Sequence, residues 1–121
     1  MLLAGVLLIW RAAPLPTARW RVERITVDGE RVVPLRSSVT TGMGRITFRG
    51  CNEIGASVGG LPWRPRVISS STTAVYCPGP RGDLDQIWWR LTRSDIAFDG
   101  AWRDRATLRG GGVRIELVRR A

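Results

Sequence analysis

Apolar and polar residues alternate in short runs from Trp20 to the end of the chain, and turn residues break those runs at intervals. A period of two marks strands with one buried face. Trp20, Val22, Ile25 and Val27 form the first apolar set, and Asp28-Gly29 is a turn dipeptide leading to Val32, Val33 and Leu35. Arg45-Ile46-Thr47-Phe48-Arg49 alternates cleanly, with Ile46 and Phe48 on one face and arginines on the other, and Gly50 ends it. Cys51 to Gly60 mixes turn residues with Ile54, Ala56 and Val58. Leu61 to Val67 and Ser69 to Tyr76 read as two extended pieces, and Pro62 and Pro65 mark the first as an edge or a connection.

One segment changes period. Leu84, Ile87, Trp88 and Leu91 fall at the i, i+3, i+4, i+7 spacing that gathers apolar side chains on one helical face. Asp83 is placed to cap the first turn, with Gln86 three residues on to return the bond, and the helix is expected to end near Arg93. Ile96 and Phe98, an Asp99-Gly100 turn, a segment from Trp102 to Leu108, the Gly110-Gly111-Gly112 turn and Val113 to Val118 then predict a terminal antiparallel meander. The expected fold class is α+β, mostly antiparallel β. Six to eight strands form a curled sheet or cracked β-barrel whose open side is covered by the amphipathic helix.

The chain has 121 residues, which is one domain by length. Residues 1–17 read as an apolar signal- or anchor-like segment and linker, and residues 18–121 as the domain. The run Met1 to Trp10 is shorter than the roughly 20 residues needed to span a bilayer and fits the core of an export signal. No basic stretch precedes it and no small-x-small site follows, so an uncleaved anchor, a misplaced start and a first buried element remain open alternatives. Leu3-Ala4-Gly5 is followed by Val6 where a lipoprotein box needs Cys, so lipidation is not expected. Arg11 to Thr17 is a proline-marked linker.

Net charge is +9, and all 19 basic residues are arginine. They are dispersed from Arg11 to Arg120, whereas a nucleic-acid footprint is clustered. A solvated surface is therefore preferred, and a polyanion or nucleic-acid binder is the second reading. Histidine is absent, which excludes Ser-His-Asp and Cys-His nucleophile systems and imidazole metal sites. The near pairs Asp83 with Asp85 and Asp95 with Asp99 carry no partner that would divide acid from base work, and they read as turn or helix-start carboxylates. No catalytic residue, metal site or cofactor is expected.

Gly50-Cys51-Asn52, then Gly55, then Thr73-Ala74-Val75-Tyr76-Cys77 resembles the paired signature of the META/HslJ-like family. That signature is a Gly-Cys-Asn after a strand, a nearby Gly, and a Thr-x-Met-x-Cys just before a helix. Trp20 in the first strand, the helix at Asp83 to Arg93 and the glycine-turned terminal hairpin agree with it, so the resemblance spans residues 18 to 119. Val75 replaces the usual Met, and Trp102 to Ala106 looks like a small insertion in the final meander. The resemblance implies a compact β-rich domain of secreted or envelope-attached bacterial proteins, some of them heat-inducible. Proteins of similar shape include secretin pilots that hold an acyl chain or peptide. It implies no catalytic residues.

Cys51 and Cys77 are the only cysteines. Their bonding would stabilise the fold by roughly 3 to 4 kcal/mol in an oxidising compartment, and two buried thiols in a cytosolic protein are the alternative. Asn52 is read as holding the turn after Cys51, with a ligand contact as the other option. Trp88 and Trp89 cannot both face the core, and Trp89 is expected to be the more exposed. Phe48, Trp63, Ile87, Trp88, Leu91, Trp102 and Ile115 are the candidate groove or core positions. Trp63, Trp89 and Trp102 would rim such a groove, and Phe48, Ile87, Leu91 and Ile115 would line a cavity between helix and sheet. The expected function is a non-enzymatic extracytoplasmic envelope module, monomeric, related to stress or envelope integrity. Its partner would be a hydrophobic peptide, a lipid or another envelope protein, with membrane association through residues 1–10.

Overall fold

The computed structural model describes residues 14–73 and 75–120. The apolar run Met1 to Trp10, the linker before Pro14, and Ala74 of the signature segment lie outside the described residues. Among the described residues nine strands form one sheet: β1 (Ala18–Val27), β2 (Glu30–Val32), β3 (Ser38–Gly42), β4 (Arg45–Arg49), β5 (Glu53–Leu61), β6 (Arg64–Thr72), β7 (Ala97–Asp99), β8 (Arg105–Gly110) and β9 (Val113–Arg119). One helix, α1 (Pro80–Thr92), is inserted between β6 and β7. Every pairing is antiparallel, in the order β6-β5-β4-β3-β1-β9-β8-β7, with β2 a side branch on β1.

The two end strands curl round to meet. The backbone N–H of Phe98 in β7 donates to the carbonyl of Trp63 in the β5–β6 turn at 2.9 Å. The sheet is thus a nearly closed barrel with an unsealed seam between β6 and β7, as the pattern of one helix among antiparallel strands predicts. Pro65 lies in β6, at the edge, where a strand with no partner on one side tolerates a residue lacking an N–H.

The first strand shows how sequence sets register. Trp20, Val22 and Ile25 are all buried although the last step is three residues rather than two. Pairing with β9 shifts between Val22 and Arg24, so an extra residue at Glu23 returns Ile25 to the inner face. Val39, Ile46, Phe48, Ile54, Ala56 and Val58 from β3 to β5, and Leu108, Ile115 and Leu117 from β8 and β9, complete the inner wall.

Helix α1 plugs this barrel. It buries Leu84, Asp85, Trp88, Leu91 and Thr92, and the Trp88 ring stacks on Phe48 with centroids 5.0 Å apart and planes 11° from parallel. Three expectations need correction here. The helix begins at Pro80, three residues before Asp83, because proline is well suited to the first helical position. Gly79 precedes it, Asp83 sits within the first turn, and no side chain caps the end, so the Asp83–Gln86 box does not form. Ile87 is half-buried at the flank rather than at the centre of the buried face. In the meander, Trp102 to Asp104 belong to the β7–β8 loop, and β8 pairs regularly with β9 from Arg105 to Gly110.

The pieces Leu61 to Val67 and Ser69 to Tyr76 also divide differently. Leu61 ends β5, Pro62 and Trp63 turn, and Arg64 to Thr72 is one continuous strand carrying a register shift against Ser57 and Val58. At the other terminus the packed body reaches back ahead of residue 18. Leu15 is buried, and the Pro16 carbonyl accepts from Thr41 Oγ1 (2.8 Å), which in turn accepts from Trp20 Nε1 (3.0 Å).

Candidate functional site

The signature residues other than Gly55 converge at the junction of the β4–β5 loop, the segment after β6 and the start of α1. Cys51 and Cys77 form a disulfide with Cα atoms 6.3 Å apart, inside the normal range for that bond. Next to it the Asn52 amide is fully used. Its Nδ2 donates to the Val75 carbonyl (3.0 Å) and to Asp85 Oδ2 (2.9 Å), while Oδ1 accepts from Thr73 Oγ1 (3.1 Å) and the Val75 N–H (2.9 Å). The Asn52 backbone N–H also donates to Asp85 Oδ2 at 3.1 Å. A single side chain therefore ties the segment entering α1 both to the sheet and to the helix.

Gly50 and Gly55 have separate reasons to lack a side chain. A Cβ at Gly50 would lie 2.7 Å from Asp85 Oδ1 and 2.9 Å from Phe48 Cε1, so the buried carboxylate and the core ring close over the main chain. Gly55 is buried beneath the Arg45 guanidinium, which donates to Ser57 Oγ (3.1 Å) and Ser71 Oγ (3.3 Å) across three strands. Gly50, Cys51, Asn52, Thr73 and Cys77 thus form one cluster, and Gly55 stands apart in mid-strand.

Asp85 is the member that the sequence reading missed. Its place beside Asp83 suggests a turn or helix-start carboxylate, yet it is buried on the same face as Leu84, Trp88 and Leu91. The signal was its position one residue after Leu84 and three before Trp88, which places it on the inward face. The Cys51 and Cys77 sulfurs and an Asp85 oxygen lie within 4.8 Å of one another. With both sulfurs in the disulfide no thiolate is left to hold a metal.

The groove positions separate into two groups. Phe48, Trp88, Leu91 and Ile115 are at most 1% exposed and pack into the interior. Trp63 and Trp102 are 56% and 63% exposed on loops, and Trp89 is half-buried on the helix. Trp89 borders a hollow of about 370 Å³ beside Asn52, Tyr76, Cys77 and Gln86, and neither Trp63 nor Trp102 borders it. The expected rim of three tryptophans is therefore not assembled there. A larger hollow, about 820 Å³, opens at the seam between Arg64, Pro65, Arg66 and Val67 of β6 and the Thr92–Ile96 connection.

A small antiparallel barrel, plugged by a helix and stapled where the helix enters, is the class that fold and site define. No protein-family model matches the chain, and no curated protein matches it significantly. The fold is similar to that of a protein from Burkholderia xenovorans solved by NMR, with a TM-score of 0.68 at 13% identity over 88% of this chain and 84% of that one. A second protein solved by NMR gives a TM-score of 0.67 at 17% identity over 86% of this chain and 90% of that one. At such identities the likeness concerns fold alone. Among the described residues no helix is long and apolar enough to cross a membrane.

Proposed function

We propose that the chain is a META/HslJ-like, non-enzymatic module of the bacterial cell envelope, working outside the cytoplasm. The observation that carries this reading is the meeting of Gly50, Cys51, Asn52, Thr73 and Cys77 in one disulfide-centred cluster. Such a bond persists in oxidising compartments and is reduced in the cytosol. The cluster's polar groups satisfy one another, so its chemistry is that of a structural fastening. The interior is filled by Phe48, Trp88, Leu91 and Ile115, so a partner meets the outside of the barrel. The test is the mass of the protein isolated from its own cells with thiols blocked at lysis. An envelope protein arrives unalkylated and gains two blocking groups only after reduction. A cytosolic pool alkylated at both cysteines without reduction would sink the proposal.

The polyanion reading retains one observation in its favour. The seam hollow carries Arg64, Arg66 and Arg93 against the single carboxylate of Asp95. Retention on heparin that falls steeply between low and moderate salt supports it, because phosphate- and sulfate-like partners are held through counterion release. Absence of retention at low salt removes it.

A further inference from the structure

The end of the barrel opposite the helix gathers four of the exposed large apolar side chains among the described residues. Strand pairing brings five features together there: the start of β1, the β3–β4 turn, the β5–β6 turn, the β7–β8 loop and the end of β9. Ala18 pairs with Thr41, Gly42 with Arg45, Trp20 with Arg119, and Arg105 with Val118. Cross-links run around this rim. Val58 N–H donates to the Gly44 carbonyl, Phe98 N–H to the Trp63 carbonyl, and the Arg119 guanidinium to the Ala101 carbonyl. The loops so gathered carry Met43, Leu61, Trp63 and Trp102, which are 95%, 51%, 56% and 63% exposed.

We propose that this rim rests on an anionic lipid bilayer. Tryptophan on loop tips, with methionine and leucine beside it, is the composition that partitions into a membrane interface, where an amphipathic ring has one apolar side and one wet side. Charge agrees with it. Arg19, Arg103 and Arg120 are exposed on the same rim, and none is ion-paired with a described carboxylate. Of the rim's own carboxylates, Asp99 is held by Arg109, which leaves Asp104. Anionic headgroups would gain from each free arginine. The position of the apolar run Met1 to Trp10 in the sequence supplies the third argument, because it reaches the domain through residues 11–17, at the start of β1 on this rim. An apolar segment tethered there raises the effective concentration of the rim at a bilayer, and two weak contacts together hold where one alone is marginal.

The experiment uses the full chain with Trp10→Phe, mixed with phosphatidylcholine vesicles containing phosphatidylglycerol and bromine-labelled acyl chains. Tryptophan emission is expected to be quenched, and the quenching to disappear when Trp63→Phe and Trp102→Phe are added. Replacing Met43, Leu61, Trp63 and Trp102 by Ser should lower vesicle partitioning by about tenfold or more, with an unchanged thermal midpoint showing that the barrel is intact. Tyr76→Ser, at the helix end, should leave partitioning as it is. Undiminished quenching without the rim tryptophans overturns the proposal. So does a lipid-free dimer in sedimentation that hides Trp63 and Trp102 from acrylamide. Envelope location and rim contact fail separately, since the first is read from thiol blocking in cells and the second from quenching in vesicles.

Discussion

Asn52 is the residue on which most of the local order depends. Its amide makes every hydrogen bond it is able to make, and two of them go to the main chain of Val75, on a segment that has no sheet partner there. Asn52→Ala removes these and leaves the buried Asp85 carboxylate with only the residue 52 backbone N–H from this loop. Loss of the amide is expected to lower unfolding free energy by about 2–4 kcal/mol, measured by urea denaturation. A value within about 0.5 kcal/mol of the parent, the size of an ordinary surface change, would mean that the network is ornamental. Gly50→Ala should destabilise by about 1–3 kcal/mol, as overpacking does, because Asp85 and Phe48 leave no room for a methyl group. At this scale the sequence is legible where a residue acts alone. Asn52 is readable as a turn residue, but its partners stand 21 to 33 positions away. Nothing local marks Asp85 as their anchor.

At the scale of elements, the helix was the most readable part, because four apolar side chains at helical spacing have no other economical explanation. Even so, its buried stripe is rotated by one position: Asp85 and Thr92 turn inward and Ile87 moves to the flank. The rotation follows from what the plug meets, since Trp88 must lie flat on Phe48 and Asp85 must reach the Asn52 loop. The helix start departs from the expected capping box for a simpler reason. Pro80 at the first position and Gly79 before it begin the helix without any capping side chain. The plug model separates two adjacent tryptophans. Trp88→Ala should cost about 3–5 kcal/mol, as for a large core ring, and Trp89→Ala only about 1 kcal/mol, near the average for substitutions generally. Equal losses in guanidinium denaturation would contradict the observed orientation of α1.

For the whole molecule, closure of the barrel is what the linear pattern does not contain. Alternation predicts which face of each strand is buried. The meeting of β7 with the β5–β6 turn depends on how far successive strands are staggered around the sheet, a sum over all registers that includes the shifts at Glu23 and at Ser57. Staggering also gives the barrel two unlike ends, the stapled plug at one and the apolar rim at the other. The staple should therefore act globally on stability and locally on motion. Closing a loop of 26 residues is worth about 3.5 kcal/mol on the chain-entropy account, so Cys51→Ser with Cys77→Ser should lower the unfolding free energy by about that much. Native-state hydrogen exchange then tells where the constraint lies. Amides of the 50–52 loop, of 75–79 and of the first turns of α1 should exchange faster in the double variant, because Asn52 alone must hold the segment entering the helix. Exchange in β1, β8 and β9 should accelerate only as far as the global loss requires, since their ladder bonds and the Trp20, Phe98 and Arg119 packing lie away from the cluster. A uniform acceleration across all strands would show that plug and barrel open as one unit and that the disulfide fastens the molecule as a whole.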